Sequence, residues 1–500
     1  MKIKHISLYL LLLFIMGCST TQNLPTANQS IVEFTILQIN DVYEIAPIEG
    51  GAVGGLARVA QLKKQLLAEN PNTIAVIAGD FLSPSLIATL KLNGERIAGL
   101  QMVEALNSMG MDYATFGNHE FDISDPKVLQ KRIDQSEFRF VSSNAWFTEG
   151  GIPRPFTQQV KGKVQEVPPY LVHEFQAADG KSAKVAIIGT VLPFNKADYV
   201  HYLPVEESFR KAYQTAKQEA NMVVGLTHLN MDEDIALAKA VPGLALFMGG
   251  HEHVNLNHYI EKTIITKADA NAKTAYVHRV KLDLNSGLSD IQSTLVPIDE
   301  SIPEEPQTAA IVARWQQQVG KILTDMGFEP QQSLMKTKVP LVCTEALIRT
   351  QPTNFGKLTC EAMLQAFPDV DIPIINSGSM RLDDDLNGQV IAYDILRTFP
   401  FGGAIVTMEV PGKALNSILN KGLLDNHGEG GYFQLLQVSG QRDQWSIKNQ
   451  PLNLEATYKI AIPKFVAEGK EARLELLADY PFIELEQVSV KGGVVKNDIR

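Results

Sequence analysis

Short apolar runs alternate with amphipathic segments through residues 31–270, and this pattern constrains the fold more than any other feature of the sequence. Such runs, separated by segments of helical periodicity, are typical of β-strands joined by α-helices. We therefore predict an α/β domain whose connections include helices over Leu56–Glu69 and Gly99–Ser108. The predicted strands are Phe34–Ile39, Thr73–Ala78, Tyr113–Phe116, Arg139–Ser142, Lys184–Gly189, Met222–Thr227 and Leu244–Met248.

Three further apolar runs follow this pattern and alternate in the manner of antiparallel strands. They cover Thr263–Thr266, Ala275–Asp283 and Ile291–Pro297, and we expect them to close the first domain.

A proline-rich segment then marks a boundary, and it precedes a helix predicted from Gln307 to about Met326. The predicted organisation is a first domain over residues 31–300, a linker helix over 301–331 and a second α/β domain over 332–500. Strands predicted in the second domain are Ile372–Ile375, Ala404–Glu409 and Tyr458–Ile462.

The first residues have the pattern of a secretory signal. Two early lysines precede an apolar run from Leu8 to Met16, which is too short to span a bilayer comfortably. Ile15-Met16-Gly17-Cys18 resembles a bacterial lipobox, which implies removal of residues 1–17 and lipidation of Cys18. A plain signal peptide with an unrelated cysteine is the alternative. With residues 18–30 as a polar tether, we expect an exported, lipid-anchored protein at the outer membrane, facing the periplasm or the cell surface.

The charge balance bears on the class of partner. The chain has 45 Lys and Arg against 56 Asp and Glu, a formal net charge of -11. A polymer of nucleic acid is therefore disfavoured, because binding a phosphate backbone requires a basic face. A small phosphorylated substrate stays compatible with this charge, since bound metal ions invert the local field.

Two cysteines remain beyond the predicted signal, Cys343 and Cys360. In an exported protein they could form a disulfide, and otherwise they would be reduced and buried. The sequence does not fix the distance between their Cα atoms, so both alternatives stay open.

Polar side chains follow five of the predicted strands at the point where each strand ends. Because the ligand crevice of an open α/β sheet lies at the carboxyl ends of its strands, these side chains predict one shared crevice. Carboxylate, imidazole and amide ligands suit Zn, Mn, Fe or Co, and the lack of thiolates argues against a structural zinc site. A single strand-end Asp usually caps a helix or forms a turn, so the prediction depends on the ordered set. Its members are Asp41, Asp80, Asn118, His119, Glu120, His228, His251, Glu252 and His253.

This series resembles the calcineurin-like metallophosphoesterases and, more narrowly, the 5'-nucleotidase family, which includes periplasmic UDP-sugar hydrolases and ecto-5'-nucleotidases. The resemblance implies a four-layer αββα sandwich for the first domain, followed by a linker helix and an α/β substrate-binding domain. It depends on Asp41, Gly79-Asp80, Gly117-Asn118-His119-Glu120, His228 and Gly250-His251-Glu252-His253.

The resemblance also implies two divalent ions, which would be Zn, Mn, Co or Fe. Two ions roughly 3.5–4 Å apart can hold a phosphoryl group, activate water and stabilise the leaving oxygen. Asp80 would bridge them. The other ligands would be Asp41 and His253 at the first ion, and Asn118, His228 and His251 at the second.

Three residues beside these ligands have roles of their own in the resemblance. His119 would lie beside the scissile phosphate without binding metal, and Asp122 would orient its imidazole. Where the family has Asp-x-His at the first strand, this chain has Asp41-Val42-Tyr43. Tyr43 is expected either to bind the first ion directly or to pack and hydrogen-bond, which would leave that site one ligand short.

The second domain carries further motifs of the family, among them Asn376-Ser377-Gly378-Ser379-Met380-Arg381 and Phe399-Pro400-Phe401-Gly402-Gly403. This implies a domain that binds the nucleoside and rotates it towards the metal ions. Arg349, Asn376 and Arg381 match polar contacts to the substrate, and Phe401 and Phe465 match the aromatic pair that sandwiches the base. Glu471 stands where the family has a ribose-contacting Asp, and the glycines around it are largely missing.

These features together predict a metal-dependent phosphoesterase, with metal-activated hydroxide attacking phosphomonoesters. Nucleoside 5'-monophosphates are the first candidate substrates. Sugar phosphates, cyclic nucleotides and nucleoside diphosphate sugars are alternatives within the same chemistry. A surface lipoprotein that binds a ligand without turnover is the alternative of a different class.

Overall fold

Two six-stranded mixed sheets face each other in the first half of the chain, as seen in a computed structural model that describes residues 30–177, 180–194 and 197–500. In spatial order, the first sheet contains Ser289–Pro297, Thr274–Asp283, Ile31–Ile39, Thr73–Ala78, Tyr113–Thr115 and Arg139–Phe140. The second contains Tyr170–Gln176, Ser182–Val191, Met222–His228, Leu246–Gly249, Thr263–Lys267 and Leu256–Ile260.

Helices cover the outer face of each sheet. Leu56–Glu69 and Leu100–Ser108 pack on the first sheet, and Val205–Glu219 and Met231–Ala240 pack on the second. Apolar side chains such as Phe34 fill the space between the sheets. Strands buried on both faces explain the near-continuous apolar runs of the sequence. This αββα arrangement confirms the predicted four-layer sandwich.

The predicted linker helix covers Pro306–Asp325 and packs on the first domain, against Leu56–Glu69 and Leu100–Ser108. The Glu305 side chain caps it by accepting a hydrogen bond from the Thr308 N–H, and proline stands in its first turn. Its buried Trp315 donates an indole N–H hydrogen bond to Glu104 at 2.8 Å, which fixes the helix on this face.

The second α/β unit is built on a five-stranded sheet. Helices Asn354–Ala366 and Gly412–Asn420 belong to two separate apolar clusters that flank this sheet. The predicted α/β class is confirmed here as well, while the residues at which the two domains meet stay predictions. The strands, in spatial order, are Phe433–Leu435, Ile372–Asn376, Thr457–Pro463, Ile405–Pro411 and Phe482–Glu484.

Shorter elements connect these layers. The remaining helices of four or more residues are Leu86–Thr89, Pro126–Gln135, Glu345–Ile348, Ala392–Thr398 and Lys464–Ala467. Edge strands and hairpins include Ala145–Glu149, Ile152–Arg154, Thr157–Val160, Lys163–Glu166, Ser333–Lys336, Gln389–Ile391, Val438–Gln441, Gln444–Ile447, Gln487–Val490 and Gly493–Lys496.

One predicted strand has other partners than expected. We expected Thr263–Thr266 to close the first domain with the two antiparallel strands that follow it, but Thr263–Lys267 lies in the second sheet. There it runs parallel to Leu246–Gly249 and antiparallel to Leu256–Ile260, a strand that we did not predict. All five residues of Thr263–Lys267 are buried, as is typical of a strand covered on both faces. Leu256–Ile260 is largely exposed and lacks an apolar pattern that would identify it.

Among the described residues, no helix is both long and apolar enough to cross a membrane. Cys343 and Cys360 are buried and unpaired, so the structure matches the reduced alternative. The predicted signal and Cys18 lie outside the described residues, and the lipid anchor stays a prediction.

Candidate metal centre and substrate pocket

The candidate ligands meet because their strands are neighbours in the two facing sheets. Ile31–Ile39 runs parallel to Thr73–Ala78, and each strand leads directly into its aspartate, so Asp41 and Asp80 lie at one edge. The other sheet brings Met222–His228 alongside Leu246–Gly249 in the same way. Backbone angles set this edge apart from ordinary turns, since φ is positive at four candidate ligands. They are Asp41, Asp80, His251 and His253, and such backbone in non-glycine residues is concentrated at functional sites.

Three of the predicted ligands form a compact group. Ligand atoms of Asp41, Asp80 and His253 all lie within 4.8 Å of one another, and the three residues are buried. The His253 Nε2 atom is 3.4 Å from Asp41 Oδ1. On the other side, His228 Nε2 is 3.2 Å from Asp80 Oδ2 and 3.9 Å from Asp41 Oδ1. Asp41 Oδ1 thus lies near both His253 and His228, and Asp80 lies against His228 within the same compact group.

Several ligand atoms in this group lack a hydrogen bond of regular geometry. Within the described residues they are Asp41 Oδ1, Asn118 Oδ1 and His228 Nε2, all buried, and the first and last make only the ion-pair contacts given above. Buried polar atoms of this kind call for an explanation, and a bound group is one. The other atoms of two of these side chains are occupied. His228 Nδ1 donates to the Ala78 carbonyl at 2.8 Å, and Asp41 Oδ2 accepts the His251 N–H at 2.9 Å.

The electrostatics of the cluster favour positive charge. Burial lowers the pKa of His228, but the carboxylates of Asp80 and Asp41 outweigh this and raise it to about 9. His251, in contrast, has its pKa lowered to about 3 by burial and by His228, so its imidazole is neutral. A neutral imidazole and convergent carboxylates are the donors that divalent metals require, and the residues therefore fit the metal ions that the family implies.

Two glycines are required by the close approach of the loops. A Cβ atom at Gly117 would lie 2.1 Å from Asp80 Oδ1. One at Gly250 would lie 2.5 Å from the Ala78 carbonyl oxygen and 2.9 Å from Asp41 Oδ2. Both glycines therefore permit a close backbone approach at the strand ends that any side chain would block.

His119 and Asp122 form the predicted pair. His119 Nδ1 is 2.7 Å from Asp122 Oδ2, and the His119 backbone N–H donates to Asp80 Oδ1 at 2.8 Å. The two side chains retain 14% and 28% of their exposure, whereas the candidate ligands other than His251 are buried. Burial lowers the pKa of His119, but Asp122 and Asp80 raise it by more, to above its ordinary value. The imidazole is thus partly open to solvent at the edge of the cluster and inclined to hold a proton.

The Tyr43 hydroxyl group lies inside the cluster. It donates a hydrogen bond to Asp80 Oδ2 at 3.1 Å, and it is 3.1 Å from His253 Nε2. Burial, followed by the charges of Asp80 and Asp41, raises the Tyr43 pKa well above its ordinary value. The phenol is therefore neutral and hydrogen-bonded. Tyr43 is thus hydrogen-bonded within the cluster, and direct binding of the first ion by Tyr43 stays a prediction beside the hydrogen-bonding alternative.

Glu120 was in the predicted motif without an assigned role, and the structure gives it one. Its carboxylate accepts backbone N–H groups of Asp80, Phe81 and Leu82 at 2.8–3.0 Å. Burial, together with the charge of Asp80, raises its pKa to about 7. Glu120 therefore holds the loop that carries Asp80. The feature of the sequence that pointed to Glu120 was its position directly after His119 in the predicted motif.

A buried lysine behind the metal cluster was missed by sequence reasoning. Lys267 Nζ is 2.8 Å from Asp234 Oδ2 and also contacts the Glu252 carboxylate and the Leu229 carbonyl. Leu229 follows His228, and Glu252 lies between His251 and His253. Lys267 thus ties together the two loops that carry these histidines. The signal was a charged residue at the end of a wholly apolar run.

We expect Lys267→Met to lower the free energy of unfolding by about 3–5 kcal/mol, because it removes the cation from the buried Asp234 carboxylate and the partly buried Glu252 carboxylate. A urea titration measures this loss. Lys281→Met is the matched control, since Lys281 makes an exposed ion pair with Glu33 and should cost about 0–1 kcal/mol. Equal losses in the two variants would show that the buried network does not stabilise the loops.

The predicted polar contacts of the second domain lie together. Asn376 Nδ2 donates to Glu471 Oε2 at 2.7 Å, and Arg381 Nε donates to the Gly378 carbonyl. Glu471 is surrounded by Asn376, Arg381 and Arg349, although burial dominates and raises its pKa. Arg349 pairs with Glu345 at 2.8 Å, while its buried Nε makes no hydrogen bond within the described residues.

A cavity of about 190 Å³ lies between one of these residues, Arg349, and the candidate ligand His251. Its lining also includes Asn230 from the first half of the chain and Glu345 from the second. Phe401 and Phe465 are 52% and 50% exposed, so both rings are open to solvent. The structure therefore places an arginine of the second half of the chain at a cavity that a candidate ligand also lines.

Comparison with known families agrees with this geometry. The family model described as calcineurin-like phosphoesterase matches residues 34–255, and the one described as 5'-nucleotidase, C-terminal domain, matches residues 334–478. The chain belongs to the 5'-nucleotidase family. Members of this family are phosphoric ester hydrolases that use divalent metal ions, and we place the chain in that class of enzyme.

Individual members of the 5'-nucleotidase family resemble the chain over most of its length. The trifunctional nucleotide phosphoesterase protein YfkN of Bacillus subtilis is 26% identical over 87% of this chain, which spans only 32% of that protein. The snake venom 5'-nucleotidase of Naja atra is 25% identical, with 89% of this chain and 92% of the venom protein covered. The structure of a 5'-nucleotidase precursor from Thermus thermophilus matches with a TM-score of 0.74 at 23% identity, covering 91% of this chain and 94% of the other. This structural match shows the shared fold.

Proposed function

We propose that this protein hydrolyses phosphomonoesters, and nucleoside 5'-monophosphates in particular, to the alcohol and phosphate. The observation that carries the proposal is the convergence of buried carboxylate and imidazole groups from Asp41, Asp80, His228 and His253. These donors suit divalent cations, and they lie beside a cavity reached by an arginine of the second domain.

In this proposal Asp80 would be a ligand of both of two divalent ions, which would be Zn, Mn, Co or Fe. When bound, such ions lower the pKa of water and neutralise the charge of a phosphoryl group. Tyr43 takes part through its hydrogen bond to Asp80. The other residues that would hold the ions are Asp41 and His253 for the first, and Asn118, His228 and His251 for the second.

His119 acts on the phosphoryl group itself. Its backbone is fixed by Asp80 and its Nδ1 by Asp122, so the Nε2–H can donate to a phosphoryl oxygen at the open edge of the cluster. A raised pKa keeps this donor protonated over a wider range of pH. Asp122 holds the tautomer and the ring orientation.

The second domain would select the substrate. Arg349 and Arg381 supply charge-assisted donors for a phosphate, and Phe401 and Phe465 supply faces for a base. Glu471 is 2.7 Å from Asn376, so a ribose would have to share or replace that hydrogen bond.

Product analysis tests the proposal, because phosphomonoesters release phosphate whereas cyclic nucleotides and nucleoside diphosphate sugars release phosphomonoesters. Metal-free protein is reconstituted with Mn²⁺, Zn²⁺ or Co²⁺ and assayed with nucleoside 5'-monophosphates, sugar phosphates, cyclic nucleotides and nucleoside diphosphate sugars. We expect metal-dependent turnover that is fastest with nucleoside 5'-monophosphates. Turnover of sugar phosphates alone would overturn the nucleotide assignment. No turnover with any substrate and metal would leave the non-catalytic binding protein as the better account.

We expect Phe401→Ala and Phe465→Ala each to raise the KM for nucleotides by roughly 5- to 150-fold, because one stacked face contributes about 1–3 kcal/mol. The stability of the protein should barely change, since both rings are about half exposed. Steady-state kinetics with a nucleoside monophosphate measures the effect. Leu454→Ala, which removes another exposed apolar side chain of the same domain, is the control. An unchanged KM in both phenylalanine variants would contradict the base-binding role.

A further inference from the structure

The candidate ligand His253 is held from behind by a residue of the second half of the chain. His253 Nδ1 is 2.9 Å from Asp383 Oδ2, across 130 positions of sequence. The opposite ring nitrogen, Nε2, faces Asp41 and the Tyr43 hydroxyl group. Asp383 therefore contacts only the side of the imidazole that points away from the metal cluster.

Asp383 is itself held in place. Its Oδ1 accepts the Glu345 backbone N–H at 2.8 Å, and its carbonyl oxygen accepts a hydrogen bond from Lys273 Nζ at 3.1 Å. The side chain is buried, and its backbone has a φ of 52°, in the left-handed region. Because the Glu345 backbone N–H fixes Oδ1 of this buried carboxylate, the other oxygen, Oδ2, is held against His253.

The other charged group facing His253 Nδ1 is Glu345, whose Oε2 is 3.7 Å away. That distance is too long for a hydrogen bond, and the same Glu345 oxygen pairs with Arg349 at 2.8 Å. Asp383 is thus the hydrogen-bond partner of Nδ1, while Glu345 is engaged by the arginine that lines the cavity.

We propose that Asp383 is a positioning residue for the first metal ion. Its carboxylate fixes the proton of His253 on Nδ1 and leaves the Nε2 lone pair directed at the cluster. Carboxylates that hold the far nitrogen of a ligating histidine in this way set its orientation and raise its basicity. The inference rests on the proposed function, because it takes His253 as a ligand.

The first ion depends on this contact more than the second would. The Tyr43 hydroxyl group is hydrogen-bonded to Asp80, and the carboxylate and imidazole groups that come together at that site are Asp41, Asp80 and His253. With so few ligands, the orientation of the single imidazole has a large share in the affinity. The first site is therefore completed by a residue that lies within the second domain, and separation of the two domains would release it.

Asp383→Asn tests the inference with little disturbance of the backbone, because asparagine also tolerates a positive φ. If the amide oxygen keeps the Glu345 N–H, the amide NH₂ faces His253 Nδ1. That arrangement favours the wrong tautomer, with the proton on Nε2. We expect one of two ions to bind roughly 10- to 100-fold more weakly, with the other unchanged. Calorimetric titration of the metal-free protein with Mn²⁺ or Co²⁺ measures the affinities of both sites without any assay of activity.

Asp385→Asn is the matched control. Asp385 lies two residues away in the same loop, and its side chain accepts a hydrogen bond from the Cys343 N–H at 3.2 Å. The Asp385→Asn variant should bind both ions as the unaltered protein does. His253→Ala should weaken the same ion as Asp383→Asn. When both changes are combined, Asp383→Asn should have no further effect, since the imidazole that it positions is gone. A general loss of structure would instead persist in the combined variant.

The outcomes separate this inference from the proposed function. Unaltered affinities in Asp383→Asn would overturn the positioning role and leave the two-ion proposal standing. A further loss in the combined variant, as large as in the single one, would overturn it too. If the unaltered protein bound neither ion, the proposed function itself would fail.

Discussion

Asp80→Asn is expected to lower kcat/KM by about 10³-fold or more and to reduce the metal content of the purified protein. The Asp80 carboxylate lies 3.2 Å from His228 Nε2 and accepts hydrogen bonds from the Tyr43 hydroxyl group and the His119 backbone N–H. Burial raises its pKa, but His228 and His119 lower it to well below the usual range, so the group is charged. Asparagine removes that charge at the point shared by both ions. The expected fall in kcat/KM corresponds to a loss of several kcal/mol in the stabilisation that metal ions give to the transition state.

Metal analysis and steady-state kinetics on the same preparation test this result. Asp283→Asn, in an exposed hairpin where Asp283 accepts the Asn285 N–H, is the control for the loss of one carboxylate. Full activity in Asp80→Asn with both ions bound would remove the bridging role. Loss of activity with both ions retained would point to Asp80 acting through His119 instead.

His119→Ala is expected to lower kcat by about 10²- to 10⁴-fold while both ions stay bound, because the imidazole serves the phosphoryl group and not the metal. Asp122 cannot supply the proton in place of His119, because its carboxylate lies at Nδ1, on the far side of the imidazole ring. Metal content equal to that of the unaltered protein is the distinguishing measurement. A variant that lost an ion would place His119 among the ligands.

Asp122→Asn tests the same pair through pH. Asp122 and Asp80 raise the pKa of His119 above its ordinary value despite its burial. Activity that requires protonated His119 is present below this pKa and is lost as the pH rises through it. Removing the negative charge of Asp122 lowers the pKa, so the alkaline fall in kcat/KM should move to lower pH. Combining the change with His119→Ala should add little, since the two residues act as a unit.

Much of the site could be predicted because it depends on local pattern. The apolar run of Thr73–Ala78 is continuous since both faces of that strand are covered, and the residue after it must stand at the carboxyl edge of the sheet. The same reasoning applies to Asp41 and His228. The prediction of the partner strands of Thr263–Lys267 was wrong, because an apolar run indicates burial without indicating to which sheet the strand belongs.

The sequence by itself determined the two α/β units, the order of the ligand-bearing strand ends and the residue types that suit a metal-dependent phosphoesterase. These follow from periodicity and from donor chemistry, which are both local. Only the tertiary structure decided how Tyr43 is used, that Lys267 ties two metal-binding loops together and that Asp383 reaches His253. Each of these is a contact between side chains far apart in the chain, and its geometry depends on how the sheets and the two domains pack. No local pattern of residues specifies that packing.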